Sequence, residues 1–426
     1  MLYKAIYKIG VAVRNPSMIK IFSFLKESDK WSEKRLMDYQ FERLKFMVDF
    51  AYGNTTYYKE KFDNAKFSPS DLINMEDLTK IPFLDKTDVL THNTQIHTPA
   101  TSKTFTAITS GSTGESLAFK RDEHADSFNR ASAFRGYSWY GVKPWEKNGY
   151  FWGFNFSFSK RIKTRFLDTL QNRFRLFSYR EEPLHSFVKK LKKTKYLHGY
   201  SSMIYQTAKL INRSNMSKPA HIKMIKGTSE KIFDNYQEEV KKAFGTKIVS
   251  EYGATESGVI AFECPEGNMH INMEGVLVEE IENEIVVTNL QMTSFPLIRY
   301  KLGDYIQLAP ESKQCKCGRK HRILEEVTGR IGETIYGRTT EYPSLYFYYI
   351  FKNLSNTHNI KLNYQIVQNE RGKLEVRIEQ MMLESEKEKL KEEFLAYFNN
   401  DIAYSLKDDC TLQTSNSKLK SFISHL

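Results

Sequence analysis

No uninterrupted apolar run in the chain approaches the roughly 18 residues that a helix needs to cross a bilayer, so the sequence holds no expected membrane span. Cysteine is scarce, with four residues in 426, two of them in Cys315-Lys-Cys317. That usage excludes a disulfide framework and points to a reducing cytosol and metal chemistry. The N-terminus has no clean apolar core or small-residue cleavage site, because Lys4, Lys8, Arg14 and Lys20 interrupt it. A secretory signal is therefore not expected, and the expected location is cytoplasmic. Internal repeats and low-complexity tracts are absent. No nucleic-acid-binding motif accompanies the basic charge, so nucleic acid is not an expected partner.

What the chain does have is unevenly spread positive charge. The formal net charge is +12, yet residues 331–426 hold 12 basic and 13 acidic side chains, a net of −1. Residues 156–200 alone hold 12 basic and 3 acidic side chains, a net of +9. A cluster that dense suits a phosphate-rich cofactor, a nucleotide-sugar, an anionic membrane surface or a solvated helix face. The mixed apolar and basic residues 1–28 suit either peripheral contact with the inner face of a membrane or a helix packed on the main domain.

At this length the chain can bury more than one core, and two domains are expected. Residues 1–66 read as helices, with Leu36, Tyr39, Leu44 and Val48 at helical spacing. In the middle, short apolar runs (Ile222–Ile225, Lys247–Val249) alternate with amphipathic stretches such as Asn235–Phe244, which favours a layered α/β domain. Glu284–Thr288 and the segment around Ile298 read as β-structure. The aromatic stretch Tyr150–Phe158 reads first as a core strand. After Gly329-Arg330 the texture changes to a hairpin, Asn363–Gln368 and Leu374–Ile378, followed by a charged amphipathic helix, Glu384–Asn399. The expected architecture is a large layered α/β domain over 1–330 with a small α+β C-terminal domain over 331–426.

Three short motifs occur in order: Thr109-Ser110-Gly111-Ser112-Thr113-Gly114, Tyr252-Gly253-Ala-Thr255-Glu256 and Tyr300-Lys-Leu-Gly-Asp304. The first packs glycines and hydroxyls as a loop that wraps phosphate oxygens requires. It is not a Walker loop, since Glu115 and Ser116 follow Gly114 where Lys-Ser/Thr would stand. Separately, Cys264, His270, Cys315 and Cys317 supply four ligands of the types a closed structural zinc site uses.

The ordered motifs, together with Ile81–Lys86, Gly199-Tyr-Ser201, Ser229-Glu230, Phe295–Tyr300 and a C-terminal lysine, resemble the adenylate-forming superfamily. The likeness covers nearly the whole chain and is to the branch of phenylacetate–CoA ligase, coenzyme F390 synthetase and CapK capsular-polysaccharide proteins. It implies a small C-terminal lid that rotates on a hinge near residue 330. It also implies an ATP-dependent ligase that converts a carboxylic acid to acyl-AMP and passes the acyl group to an acceptor.

By resemblance, Thr109–Gly114 cradle the phosphates, Tyr252 packs on adenine, Thr255 contacts the α-phosphate and Glu256 ligates Mg²⁺. Ser229 and Glu230 line the nucleoside pocket, Asp304 accepts from the ribose, and Arg330 reaches ribose or phosphate. Lys418 is the mobile cation, with Lys420 as a rival because Ser417 replaces the usual preceding glycine. Gly332 stands at the hinge where many relatives have aspartate. CoA is the default acceptor; an amino sugar or nucleotide-sugar in surface-polysaccharide synthesis is the alternative. The departures at Glu115, Gly332 and Ser417 keep open a non-catalytic adenylate-binding scaffold.

Overall fold

The computed structural model describes every residue except 100–102, 110–116, 153–157, 177–180, 215–217, 220, 231, 331–333 and 416–417. The chain forms two compact units. The first comprises Met1–Trp145, Glu251–Leu302 and Ile306–Val327; the second comprises Glu146–Ser250, Gly303–Tyr305 and Thr328–Leu426. This partition differs from a single cut at residue 330, although the chain does change unit between Val327 and Thr328.

In the first unit the N-terminal region is helical as expected, with Leu2–Arg14, Met18–Ser28, Glu33–Asn54 and Thr56–Asn64. Leu36, Leu44 and Val48 are fully buried and Tyr39 packs at the edge of the same core. The helix Glu33–Asn54 is fastened by Gln40, whose Nε2 donates to the carbonyls of Met273 (3.2 Å) and Val276 (2.8 Å). Those carbonyls flank the start of an antiparallel hairpin, Val276–Ile281 with Glu284–Asn289. A second antiparallel set joins Gly258–Glu263, Met269–Ile271 and Ile323–Arg330, with Ile323 opposite His270. Among the described residues no helix is long and apolar enough to cross a membrane.

The expected β-structure around Ile298 is displaced, because the strand begins at Tyr300 and Ile298 lies in the preceding loop. Side chains supply what a neighbouring strand would. Tyr58 Oη accepts from the Ile298 N–H at 3.0 Å, and Thr288 Oγ1 accepts from that of Arg299 at 2.9 Å. Pro296, two residues earlier, cannot donate to a ladder.

The second unit is built on parallel strands Asn148–Phe151, Arg173–Leu176, Tyr196–Tyr200 and Met224–Thr228, with Ile225 opposite Ile248 of the next strand. The helix Asp234–Phe244 connects the last two, ending at Gly245 with φ +75°, the left-handed cap that glycine favours. Phe151, Leu197 and Ile225 face the helices Ser201–Arg213 and Asp234–Phe244 in one core. The C-terminal segment adds a four-stranded sheet. Tyr364–Glu370 and Lys373–Ile378 form the expected antiparallel hairpin, while Ala403–Lys407 and Phe422–Ser424 add in parallel. The helix Glu384–Phe398 covers it with Leu390, Phe394 and Phe398. This α+β sheet shares its core with the parallel layer, where Tyr364 meets Phe233 edge-on with ring centroids 5.5 Å apart. Lys209 also pairs with Glu379 at 3.0 Å.

Candidate functional site

The phosphate-loop sequence hangs between two antiparallel strands, Thr104–Ile108 and Ala118–Asp122. Thr109 closes its base, its N–H donating to the Leu117 carbonyl (2.8 Å) and its Oγ1 accepting from the Leu117 N–H (2.9 Å). Ser110, Gly111, Ser112, Thr113 and Gly114 lie outside the described residues. Four residues after Leu117, Arg121 turns back and donates from Nη2 to the carbonyl of Thr255. The guanidinium is held by Asp126, Nη1 to Oδ1 3.6 Å. The strand that leaves the loop, Ala118–Asp122, and the Thr255-Glu256 turn are thereby tied together inside one unit.

Tyr252 and Gly253 sit on the strand Ile248–Ala254, which pairs with Gly258–Glu263 through a register shift between them. A Cβ at Gly253 would meet the Gly258 carbonyl oxygen at 2.4 Å, so only glycine permits this tight return. The turn is pinned from outside. Asn129 Oδ1 accepts from the Val259 N–H at 2.9 Å, and Asn289 Nδ2 donates to the Ser257 carbonyl at 3.2 Å. Glu256 is half-buried.

The other expected nucleotide residues belong to the second unit. Ser229 follows the strand Met224–Thr228 with φ +68°, a conformation uncommon for a residue with a Cβ. Glu230 Oε2 accepts from the Ser202 N–H at 2.8 Å, in the first turn of the helix Ser201–Arg213, where the helix dipole favours a carboxylate. Asp304 lies within the strand Tyr300–Leu308 rather than in a turn; Gly303, with φ +79°, supplies the local bend. Arg330 ends the strand Ile323–Arg330, and Lys418 lies on the short strand Lys418–Leu419 paired with Thr414–Ser415. For these two the backbone alone is described, and Gly332 lies outside the described residues.

The four expected metal ligands converge in the first unit, their donor atoms all within 4.8 Å of one another. Cys264 follows the strand Gly258–Glu263, and His270 lies on Met269–Ile271. Cys315 and Cys317 come from the loop before Ile323–Arg330. Cys264 Sγ is 3.6 Å from Cys315 Sγ, and Cys317 Sγ is 3.2 Å from His270 Nε2. His270 Nδ1 faces the His321 carbonyl at 3.2 Å, which fixes the tautomer and leaves Nε2 for a metal. Asn268 Nδ2 donates to Cys315 Sγ at 3.2 Å. Burial lowers the His270 pKa to about 4, which keeps the imidazole neutral as a ligand must be. Burial also works against the Cys315 thiolate, yet the Cys317 N–H, the Asn268 amide and the neighbouring thiols outweigh it and bring this thiol below its ordinary value. Both Gly267 (φ +86°) and Gly318 (φ +84°) turn the backbone beside a cysteine-bearing loop.

Beside this cluster lies a buried polar network that periodicity could not reveal, since its members come from four separate segments. Arg135 Nη1 donates to Glu274 Oε1 at 2.7 Å, and its Nη2 to Asn272 Oδ1 at 2.8 Å. Glu274 also accepts from Ser28 and lies 2.9 Å from His321 Nε2. Burial would push the Glu274 carboxyl up, but Arg135 and His321 prevail and hold it well below the usual range.

A depressed carboxylate stabilises the fold fully above its unfolded-state pKa, about 4.5 here, and that contribution is lost as pH falls below it. Glu274→Gln, which removes the carboxylate closest to the buried Arg135, is expected to cost about 3–5 kcal/mol in urea unfolding at neutral pH. The difference from the parent should shrink below about pH 4. Equal stabilities at neutral pH would remove the network from the account of this fold.

No protein-family model matches the chain. It is 26% identical over 290 residues to Protein CapK of Staphylococcus aureus, a match spanning 65% of this chain and 64% of that one. Over 65 residues it is 40% identical to phenylacetate-coenzyme A ligase of Aromatoleum evansii, 15% of each. The matches therefore span less than two thirds of either relative's length. In fold, the chain is similar to 2-hydroxyisobutyryl-CoA ligase in its postadenylation state in complex with 2-HIB-AMP. That match has a TM-score of 0.68 at 17% identity and covers 90% of this chain and 88% of that one. An open conformation of the same ligase with 2-HIB-AMP and CoA gives 0.59, covering 90% of each chain. The chain thus has the fold of 2-hydroxyisobutyryl-CoA ligase, and its sequence is similar to CapK and, over a short stretch, to phenylacetate-coenzyme A ligase.

Proposed function

We propose that the protein is an ATP-dependent ligase that activates a carboxylic acid as its acyl-AMP and then transfers the acyl group, by default to CoA. The observation that carries this reading is the Arg121 tie, which joins the strand leaving the Thr109–Gly114 loop to the Thr255-Glu256 turn. A loop of backbone and hydroxyl donors and a carboxylate suited to a hard cation are what ATP and Mg²⁺ require together.

In the first half-reaction the acid's carboxylate oxygen forms a bond to the α-phosphorus, and the bond from that phosphorus to pyrophosphate breaks. Two anions meet, so alignment and preorganised charge supply most of the acceleration. Thr109 to Gly114 and Thr255 hold phosphate oxygens; Tyr252, Ser229, Glu230, Asp304 and Arg330 bind the nucleoside. Glu256 would hold Mg²⁺, which would supply positive charge to offset that of the phosphates. Lys418 is the cation that a lid over residues 331–426, hinged at Gly332, brings to the reacting centre. The Cys264, His270, Cys315 and Cys317 donors fit a structural zinc ion, which would crosslink the strand after Glu256 to the loop before Ile323.

CapK likeness supports the alternative acceptor, an amine on a sugar or nucleotide-sugar, which would give an amide. The proposed location is the cytoplasm, with peripheral membrane contact of residues 1–28 as its finer form. Leu2, Ile9 and Val13 are exposed on the first helix, while Val11 packs inward.

ATP–pyrophosphate exchange measured across aryl, acyl and amino acids should be stimulated by one acid class. AMP release from the acyl-AMP, compared between CoA and amino-sugar acceptors, should then name the nucleophile. Adenine nucleotide that binds without supporting exchange for any acid would favour the scaffold reading. Failure to bind adenine nucleotide would sink adenylation altogether.

A further inference from the structure

The helix Phe158–Leu170 connects the parallel strands Asn148–Phe151 and Arg173–Leu176, and its outward face is unusual. Ile162 and Phe166, one turn apart, lie on the same side and are 55% and 65% exposed; Leu167 beside them is 44% exposed. At 100° per residue, exposed Arg165 flanks this ridge on the Ile162 side and exposed Lys163 falls between Phe166 and Leu167. The inward face is fixed. Asp168 is buried and accepts from Arg175 Nε and Nη2, both at 2.9 Å, so the helix cannot roll to hide the ridge without breaking a bidentate pair.

A lysine-rich turn sits at the same edge of the sheet as the end of this helix. Just past the helix, the Asn172 carbonyl accepts from the Asn148 N–H at 3.0 Å. The neighbouring Lys147 donates from Nζ to the carbonyls of Lys190 (2.8 Å) and Lys192 (2.9 Å). Lys189, Lys190, Lys192 and Lys193 are all exposed.

We propose that this face, with Ile162, Phe166 and Leu167 as its apolar ridge, rests on an anionic phospholipid bilayer, the helix lying in the interfacial plane. An amphipathic helix with apolar residues flanked by cations has the form that interfacial helices take. The charge matches, since Lys163 and Arg165 on the helix and Lys189, Lys190, Lys192 and Lys193 on the turn are exposed, and an anionic leaflet attracts such clusters. Protein–protein interface cores are depleted in lysine, which disfavours a protein partner. Nucleic acid would answer the cations but leave the ridge in water. This surface belongs to a different unit from residues 1–28, and the inference does not depend on the ligase chemistry.

Co-sedimentation of the full chain with phosphatidylcholine vesicles, with and without phosphatidylglycerol, tests it. The protein should pellet only with the anionic vesicles and be released by added salt. Ile162→Ser with Phe166→Ser should lower partitioning about tenfold or more while leaving thermal unfolding unchanged, because both side chains are exposed. Charge reversal at Lys190 and Lys192 should weaken binding as well. An Ile9→Ser, Val13→Ser chain serves as the comparison. If that variant alone abolishes pelleting, or if the ridge variant pellets like the parent, the proposal is overturned. It is equally overturned by binding to polyuridylate without binding to vesicles, or by a vesicle-independent dimer that the ridge variant abolishes.

Discussion

Replacing Lys418 with alanine is expected to lower acid-dependent ATP–pyrophosphate exchange by about 100-fold or more while AMP binding and thermal unfolding stay unchanged. The reaction brings a carboxylate against a phosphate, and a preorganised cation stabilises charge that builds only as the two approach. A residue that acts there affects rate far more than nucleotide affinity. Lys418 stands on a two-residue strand opposite Ser415, and the ladder uses main-chain atoms, so alanine leaves that pairing possible. Lys420 provides the control. Its carbonyl accepts from Gln365 Nε2 at 3.0 Å, a main-chain contact that Lys420→Ala retains. Exchange near the parent level is expected for that variant. The reverse result would show that Ser417 marks a shifted register, and normal exchange in both would remove the tail lysines from the chemistry.

The second large effect is expected from metal removal. Chelation under mild denaturation should release about one equivalent of zinc per chain. Cys315→Ser should lose the metal and destabilise the protein by about 3–5 kcal/mol, because binding free energy of a structural metal is folding free energy. Retention should rise with pH, since protons compete for the thiolates. Cys410 lies in the other unit, its Sγ donating to the Ile378 carbonyl at 3.3 Å, so Cys410→Ser should keep its zinc. A chain that carries no metal when folded would end the zinc reading and leave four clustered thiol and imidazole groups as core.

Several of these features are legible in the sequence itself. Leu36, Leu44 and Val48 announced a buried helix face because helical spacing puts them on one side. The hairpin around Asn369–Gly372 followed from alternation broken by a glycine-bearing turn. Ligand chemistry alone selected Cys264, His270, Cys315 and Cys317, although 51 positions separate Cys264 from Cys315. Ile298 shows the limit: a β-branched residue in an apolar run read as strand, yet Tyr58 and Thr288 satisfied the backbone from the side. Glu230 shows another, for motif order placed it in a pocket wall while its carboxylate also serves the Ser202 N–H.

Local pattern therefore determined the helices, the α/β alternation, the order of the site motifs and the metal donor set, because each depends on neighbours along the chain or on side-chain chemistry. Tertiary structure alone decided the Arg121–Thr255 tie and the Arg135–Glu274 pair, and it set Ile162 and Phe166 outward. It also joined the 331–426 sheet to the core of the parallel layer. Each of these links residues far apart in sequence. Their free energy comes from burial and charge pairing that exist only once the segments have met, and no local periodicity encodes it.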